Sequence, residues 1–221
     1  MLETSILGID HHLSEAQYGQ LLQLCPAEKR EKIAELRRFE DRERSLLGDV
    51  LARTMIGRAA NMAPSLIACA YPKQGKPHPL NMPGMHFNIS HAGAYVACSL
   101  SDRTVGVDIE EIRGAKLNIA ERFFCPAEVQ YIKAQPADRQ ATAFCEIWTK
   151  KEAYMKYKGE GLGLALDAFD VCQDMPGIYF QRVFENADCI CHVCTEYSQP
   201  SQTAYLDVSD FIRTFSDCPG A

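Results

Sequence analysis

Two stretches of this sequence gather acidic and basic side chains that could act on a phosphate-rich molecule. The first is Val105-Gly106-Val107-Asp108-Ile109-Glu110. Side chains alternate along a strand, so Val105, Val107 and Ile109 turn toward a core. Asp108 and Glu110 then share the other face, roughly 7 Å apart at their Cα atoms. Carboxylates so placed repel each other, and a hard divalent cation such as Mg²⁺, which prefers oxygen ligands, relieves the repulsion. The plain alternative is the solvated face of an edge strand. The second stretch is Trp148-Thr149-Lys150-Lys151-Glu152-Ala153-Tyr154-Met155-Lys156-Tyr157-Lys158. On a helix Trp148, Glu152 and Met155 share a face, which sets an acid beside an indole. Lys156 follows Glu152 by one turn and Lys151 is its sequence neighbour. With Lys150 and Lys158 they make a local anion site. The plain alternative is a lysine-rich solvated face with one weak Glu-Lys pair.

Two shorter signals accompany these. Asn88-Ile89-Ser90-His91-Ala92-Gly93 reads as a turn whose Ser90 and His91 can donate hydrogen bonds to phosphate oxygens. It does not read as a nucleophile–base couple, since such couples are assembled from distant segments. In Gly75-Lys76-Pro77 the glycine permits close backbone approach and Lys76 supplies a cation. A surface turn is the default reading there.

The elements that must position these residues follow from the sequence pattern. Ser5 to Ile9 reads as an opening strand, and Ser14 to Leu24 as a helix capped by Ser14. The charged stretch from Pro26 runs into residues 46–60, where Leu47, Leu51 and Met55 recur at helical spacing; one or two surface helices with a buried stripe are expected. Residues 72–85 are a Pro- and Gly-rich loop. Strand-like runs at 86–90, 94–100 and 104–112, joined by short polar turns, predict an antiparallel meander. Short helices are expected at 117–124 and 126–134, the latter opening on Pro126. A long helix is expected over 138–158, stopped by Gly159 and Gly161. Strand pieces at 168–172, 177–184, 188–197 and 203–209 close the chain. The order of elements predicts an α+β protein. The break in the pattern near 100–104 suggests a division into 1–103 and 104–221.

Composition narrows the function. The 221 residues are 47% hydrophobic and 24% charged, as in a folded globular protein. A net charge of −6 argues against non-specific nucleic-acid binding. Neither a secretory signal nor a membrane-spanning run is visible, so a cytoplasmic protein is expected. The ten cysteines are then expected to be reduced and mostly buried. Cys189, Cys191, His192 and Cys194 lack a usual zinc-ligand spacing and alternate as in a plain strand.

Taken in order, GKP, FNISHAG, GVDIE and WTKKEAYMK resemble the 4′-phosphopantetheinyl transferase superfamily, in particular its larger, surfactin-synthetase-activating type. The resemblance takes in PAEKREK, RSLLGDVLAR, RFF and KGEGL and covers most of residues 26–171. It implies two similar α+β halves related by a pseudo-two-fold in a monomer, with coenzyme A in the cleft between them. The first half (1–103) would contribute to coenzyme A binding, and the second (104–221) would hold the metal and dock the carrier protein. By this resemblance Asp108, Glu110 and Glu152 would bind Mg²⁺, with Mn²⁺ as an alternative. Lys151, Lys156, Ser90 and His91 would contact the phosphates. Lys29, Lys32 and Arg44 would lie near the 3′-phosphate, and Gly75 and Lys76 against the adenine nucleotide. Glu152, or a metal-activated water, would deprotonate the carrier serine, Lys156 would assist the leaving group, and Asp108 would complete the catalytic set. The acceptor implied is an apo acyl or peptidyl carrier protein, docking on residues 113–124 through Arg113, Lys116 and Arg122 with Leu117, Phe123 and Phe124. Gln74 and Glu160 depart from the family's usual pattern. A metal-dependent phosphohydrolase, a coenzyme A-binding module and a structural interaction domain are the competing readings.

Overall fold

The computed structural model describes residues 1–72, 75–159 and 163–216. Gln74, Glu160 and Gly161 lie outside the described residues. Strand β1 (Leu2–Gly8) leads to helix α1 (Glu15–Gln23), which Ser14 caps as expected: the Gln17 amide donates to Ser14 Oγ, and Gln17 Oε1 accepts from the Ser14 amide at 2.9 Å. Helices α2 (Ala27–Ala34) and α3 (Phe39–Ala60) follow. α3 is a central helix rather than a surface one. Leu46, Leu47, Val50, Leu51, Met55 and Ile56 are all buried, and so are the charged Glu43, Asp49 and Arg53. The buried charges are tolerated because each is paired: Arg53 Nε donates to Asp49 Oδ2 at 2.7 Å, and Glu43 accepts from the Leu13 amide at 2.6 Å.

A two-residue ladder, β2 (Cys69–Ala70) with β3 (His78–Pro79), folds the Pro/Gly-rich loop back on itself. Strands β4 (His86–Ala92) and β5 (Tyr95–Ser101) form a hairpin that turns at Gly93, whose φ of 54° suits glycine. Strand β6 (Val105–Glu111) does not continue this hairpin into the expected meander. β5 pairs with β1 instead, and β6 pairs antiparallel with β8 (Cys189–Thr195), itself paired with β7 (Tyr179–Glu185). Helices α4 (Leu117–Phe123), α5 (Pro126–Ala134) and α6 (Gln140–Lys158) lie between β6 and β7 in the chain, with α6 ending at Gly159 in the left-handed region (φ 74°). The strand expected at 168–172 is instead irregular chain after a short turn at Leu166–Ala168. The Leu166 and Phe169 carbonyls there accept from Lys151 rather than from a neighbouring strand.

The molecule therefore has two halves of like build, a long helix on a small sheet in each. The first sheet runs β4-β5-β1-β9 beside α3, and the second β6-β8-β7 beside α6. β9 (Gln202–Asp207) pairs parallel with β1, and α7 (Val208–Ser216) buries Val208, Phe211 and Ile212 in the first half's core. The sequence division at 103/104 had assigned both elements to the second half. Leu2, Ile6 and Ala97 of the first sheet share one core with Val105, Val107, Ile109, Cys189, Cys191 and Val193 of the second.

Candidate functional site

The even residues of β6 face α6, and a glycine sets how near. A Cβ on Gly106 would lie inside van der Waals contact of the Ala153 carbonyl and the Tyr157 amide of α6. Strand and helix thus approach closely enough for Asp108 and Glu110 to meet the face of Glu152 and Lys156. A cleft of about 480 Å³ is lined there by Lys29, Ser45, Ser90, His91, Asp108, Glu110, Trp148, Glu152 and Lys156, among others. It brings the three expected metal ligands together with Ser90, His91 and Lys156 of the expected phosphate contacts, and with Lys29. A neighbouring recess is lined by Gly75, Lys76, Asn88, Met155 and Gly159 and shares Pro77, Glu152 and Lys156 with the cleft.

Asp108 is the deepest acid of the cleft, 3% exposed. Its Oδ1 accepts from Lys156 Nζ at 2.6 Å and from Ser90 Oγ at 2.9 Å. Its Oδ2 is buried with no hydrogen-bond partner. Burial raises the Asp108 pKa above the usual carboxylate range despite the Lys156 ammonium. Burial and then repulsion from Asp108 raise Glu110 and Glu152 in the same way. His91 lies at the solvent side of the cleft, where desolvation and then the Arg44 and Lys156 charges lower its pKa. Burial also lowers Lys29, whose ammonium donates to Ser45 Oγ at 3.1 Å.

The acids as they stand form no ready-made cage: among the described residues no three His, Cys, Asp or Glu side chains make a group that could hold a metal ion. Lys156 occupies one of the two Asp108 oxygens. The donor set nonetheless fits a hard divalent cation. It offers carboxylate oxygens only, an orphaned buried oxygen on Asp108, and acids whose mutual repulsion a cation would relieve.

The remaining expected residues are placed as follows. Lys76 is half-buried and donates to the Val105 and Tyr157 carbonyls at 2.8 and 3.1 Å; burial pulls its pKa down to about 8. Arg44 donates to the Gly93 carbonyl at the β4–β5 turn and to Asp41. Lys32 is exposed beside the Tyr71 ring and pairs with Glu28, outside the cleft lining. Lys151 is the clear correction. It is 0% exposed and pairs with the equally buried Glu128 at 2.8 Å, pointing to α5 and away from the cleft. The reason is helical geometry: one residue before Glu152, it projects about 100° round the helix. Ser90 and His91 sit on strand β4 rather than in a turn. Cys189 and Cys191 face the shared core, while His192 faces α6 and meets Thr149 Oγ1 at 2.7 Å, as a plain strand requires. Ser45, Pro77 and Asn88 were not singled out from sequence. Asn88 had a legible signal, since it shares the β4 face of Ser90, but Ser45 had none.

Fold and site together define an α+β protein of two similar halves with an acid-and-lysine cleft at their seam. Two family models divide the chain between them: "4′-phosphopantetheinyl transferase, N-terminal" over residues 12–102 and "4′-phosphopantetheinyl transferase superfamily" over residues 104–206. The chain is similar to the 4′-phosphopantetheinyl transferase Sfp of Bacillus subtilis (strain 168), 39% identical over 75% of each chain. It is also similar to a 4′-phosphopantetheinyl transferase of Bacillus subtilis, 37% identical over 74% of this chain and 73% of that one. The gsp 4′-phosphopantetheinyl transferase of Aneurinibacillus migulanus is 28% identical over 98% of this chain and 96% of its own. The chain belongs to the 4′-phosphopantetheinyl transferase superfamily, a family of transferase enzymes.

Proposed function

We propose that the protein moves the 4′-phosphopantetheine arm of coenzyme A onto a serine of an apo acyl or peptidyl carrier protein, releasing 3′,5′-ADP. Mg²⁺ would be held by Asp108, Glu110 and Glu152, with Mn²⁺ a chemically allowed substitute. The observation that carries this reading is the buried, unpartnered Asp108 Oδ2 in a cleft walled by two further acids and two lysines. When bound, the divalent ion supplies positive charge to the diphosphate and to the departing nucleotide.

The chain's own residues do the rest. Lys29 and His91, at the first half's side of the cleft, would bind nucleotide phosphates. The Arg44 charge acts on His91, and Gly75 and Lys76 line the adjoining recess that would take the adenine nucleotide. Glu152 would accept the proton of the carrier serine as its oxygen bonds to the β-phosphorus; a raised pKa suits a general base working near neutrality. The bond from that phosphorus to 3′,5′-ADP breaks, and Lys156, already hydrogen-bonded to Ser90 and Asp108, would steady the leaving oxygen. Among the described residues no helix is long and apolar enough to cross a membrane. Their cysteines are free, which fits a reducing, cytoplasmic setting.

The test incubates the protein with coenzyme A, Mg²⁺ and an apo carrier protein and weighs the carrier. A gain of one phosphopantetheine group is expected, lost by at least about 100-fold in Asp108→Ala or Glu152→Ala. Release of free phosphate with no gain would mark a hydrolase, and unimpaired transfer by either variant would remove the proposed metal set.

A further inference from the structure

β4 is the last strand of the first sheet and β6 the last of the second, and these two edges lie side by side. An exposed strand edge carries unpaired amides and carbonyls. Between β4 and β6 side chains take the place of a backbone ladder. On β6, alternate residues present their backbone groups to this seam. The Val105 carbonyl accepts from Lys76 Nζ, the Val107 amide donates to Asn88 Oδ1 at 2.9 Å, and the Ile109 amide donates to Ser90 Oγ at 3.3 Å. Asn88 and Ser90, two apart on β4, share one face and are both buried. Their two bonds therefore bracket Asp108. A shift of β4 along β6 would break both bonds and pull Ser90 from Asp108 and Lys156.

We infer that Asn88 is a positioning residue: its side-chain oxygen, bound to the Val107 amide, sets the register of the two halves. It thereby fixes the distance from the first half's cations to the second half's carboxylates. This rests on the proposed transfer reaction for its kinetic consequence, though not for the bond itself. A coenzyme A molecule held across the seam must reach from Lys29 and His91 to Asp108 and Glu152, so register governs cofactor fit. The α4 region is built wholly from the second half and needs no such alignment.

The test uses the full chain and two variants. Asn88→Leu keeps the branched shape, at a larger volume, and removes the acceptor; Asn88→Asp keeps an isosteric acceptor. Amide hydrogen exchange of Val107, read by NMR or by peptide-resolved mass spectrometry, should quicken about tenfold or more in Asn88→Leu and stay slow in Asn88→Asp. In Asn88→Leu the KM for coenzyme A should rise about tenfold and kcat should fall, with the carrier KM unchanged. Unaltered Val107 exchange in Asn88→Leu overturns the inference. So does altered exchange with wild-type coenzyme A KM and kcat, which would make the bond merely structural. If Asn88→Leu does not fold, Asn88→Asp decides: a protected Val107 amide supports the assignment and an unprotected one refutes it. Absence of any transfer by the wild-type protein would count against the proposed reaction, while the exchange result would still judge the seam.

Discussion

Two neighbouring residues on α6 divide the work of the site. Glu152 points to the cleft, and Lys151 is sealed beneath it. Lys151 Nζ meets Glu128 and the Leu166 and Phe169 carbonyls at 2.8, 2.6 and 2.7 Å, and lies over the Phe169 ring at 4.4 Å. Glu128 in turn accepts from the Cys125 and Val171 amides. The ammonium has three partners and both carboxylate oxygens are bonded, so the pair ties α5, α6 and the segment after residue 163 together. Removing one partner leaves a buried charge without compensation, which costs about 3–5 kcal/mol. Lys151→Met should therefore lower unfolding stability by that amount in urea titrations. Glu128→Leu/Lys151→Met together should recover only part of it, because the Cys125 and Val171 amides lose their acceptor. A phosphate-binding role for Lys151 would instead leave stability near wild type and raise the coenzyme A KM.

At the scale of elements, much was legible. Ser14, Pro126 and Gly159 mark helix ends by local chemistry that no tertiary context overrides, and the alternation in β6 foretold which side Asp108 and Glu110 take. Partner choice was not legible. Whether β6 pairs with β5 or β8 depends on covering Val105, Val107 and Ile109 with residues more than 80 positions later, which no local pattern encodes. The burial of α3 was hidden for a similar reason: Glu43, Asp49 and Arg53 read as surface charges until their partners are placed. Of the site, the acids and Lys156 were readable from spacing and resemblance, while Lys151 was misplaced because adjacency in sequence is not adjacency on a helix. Gly106 is the least conspicuous element-level determinant. A methyl group there must push β6 off α6, because the atoms it meets are backbone. Gly106→Ala should cost about 1–3 kcal/mol of stability and lower kcat by more than ten-fold, because Asp108 would be carried away from Glu152. Circular dichroism melts and single-turnover transfer would measure the two effects separately. A variant with wild-type rates would show that the close strand–helix contact does not set the site.

At the scale of the molecule, the cleft has two neighbours that need not depend on each other. On one side are the first half's cations; on the other, a recess between the α4 approach and α6 is lined by Arg113, Lys116, Ile119 and Phe144 and shares Glu110 and Trp148 with the cleft. Around it the surface is mixed in charge and partly apolar, with Arg113 paired to Glu111. Arg113 and Lys116 are exposed, and Phe123 is 41% exposed under the Arg122 guanidinium. Phe124 is not available there, being buried against Phe144 and Trp148. A carrier that is acidic and helical would find charge complementarity on this face, and its serine would enter beside Glu110. Rim charges of this kind act mainly on encounter and are screened by salt. Reversing them, Arg113→Glu with Lys116→Glu, should raise the carrier KM about ten-fold or more at low ionic strength and less at high salt. The coenzyme A KM should not move, because the cations proposed to hold the nucleotide lie across the seam in the first half. Steady-state kinetics with each substrate varied in turn would check this. An equal rise in both constants would mean that the reversal disturbs the cleft itself, and an unchanged carrier constant would place the docking face elsewhere.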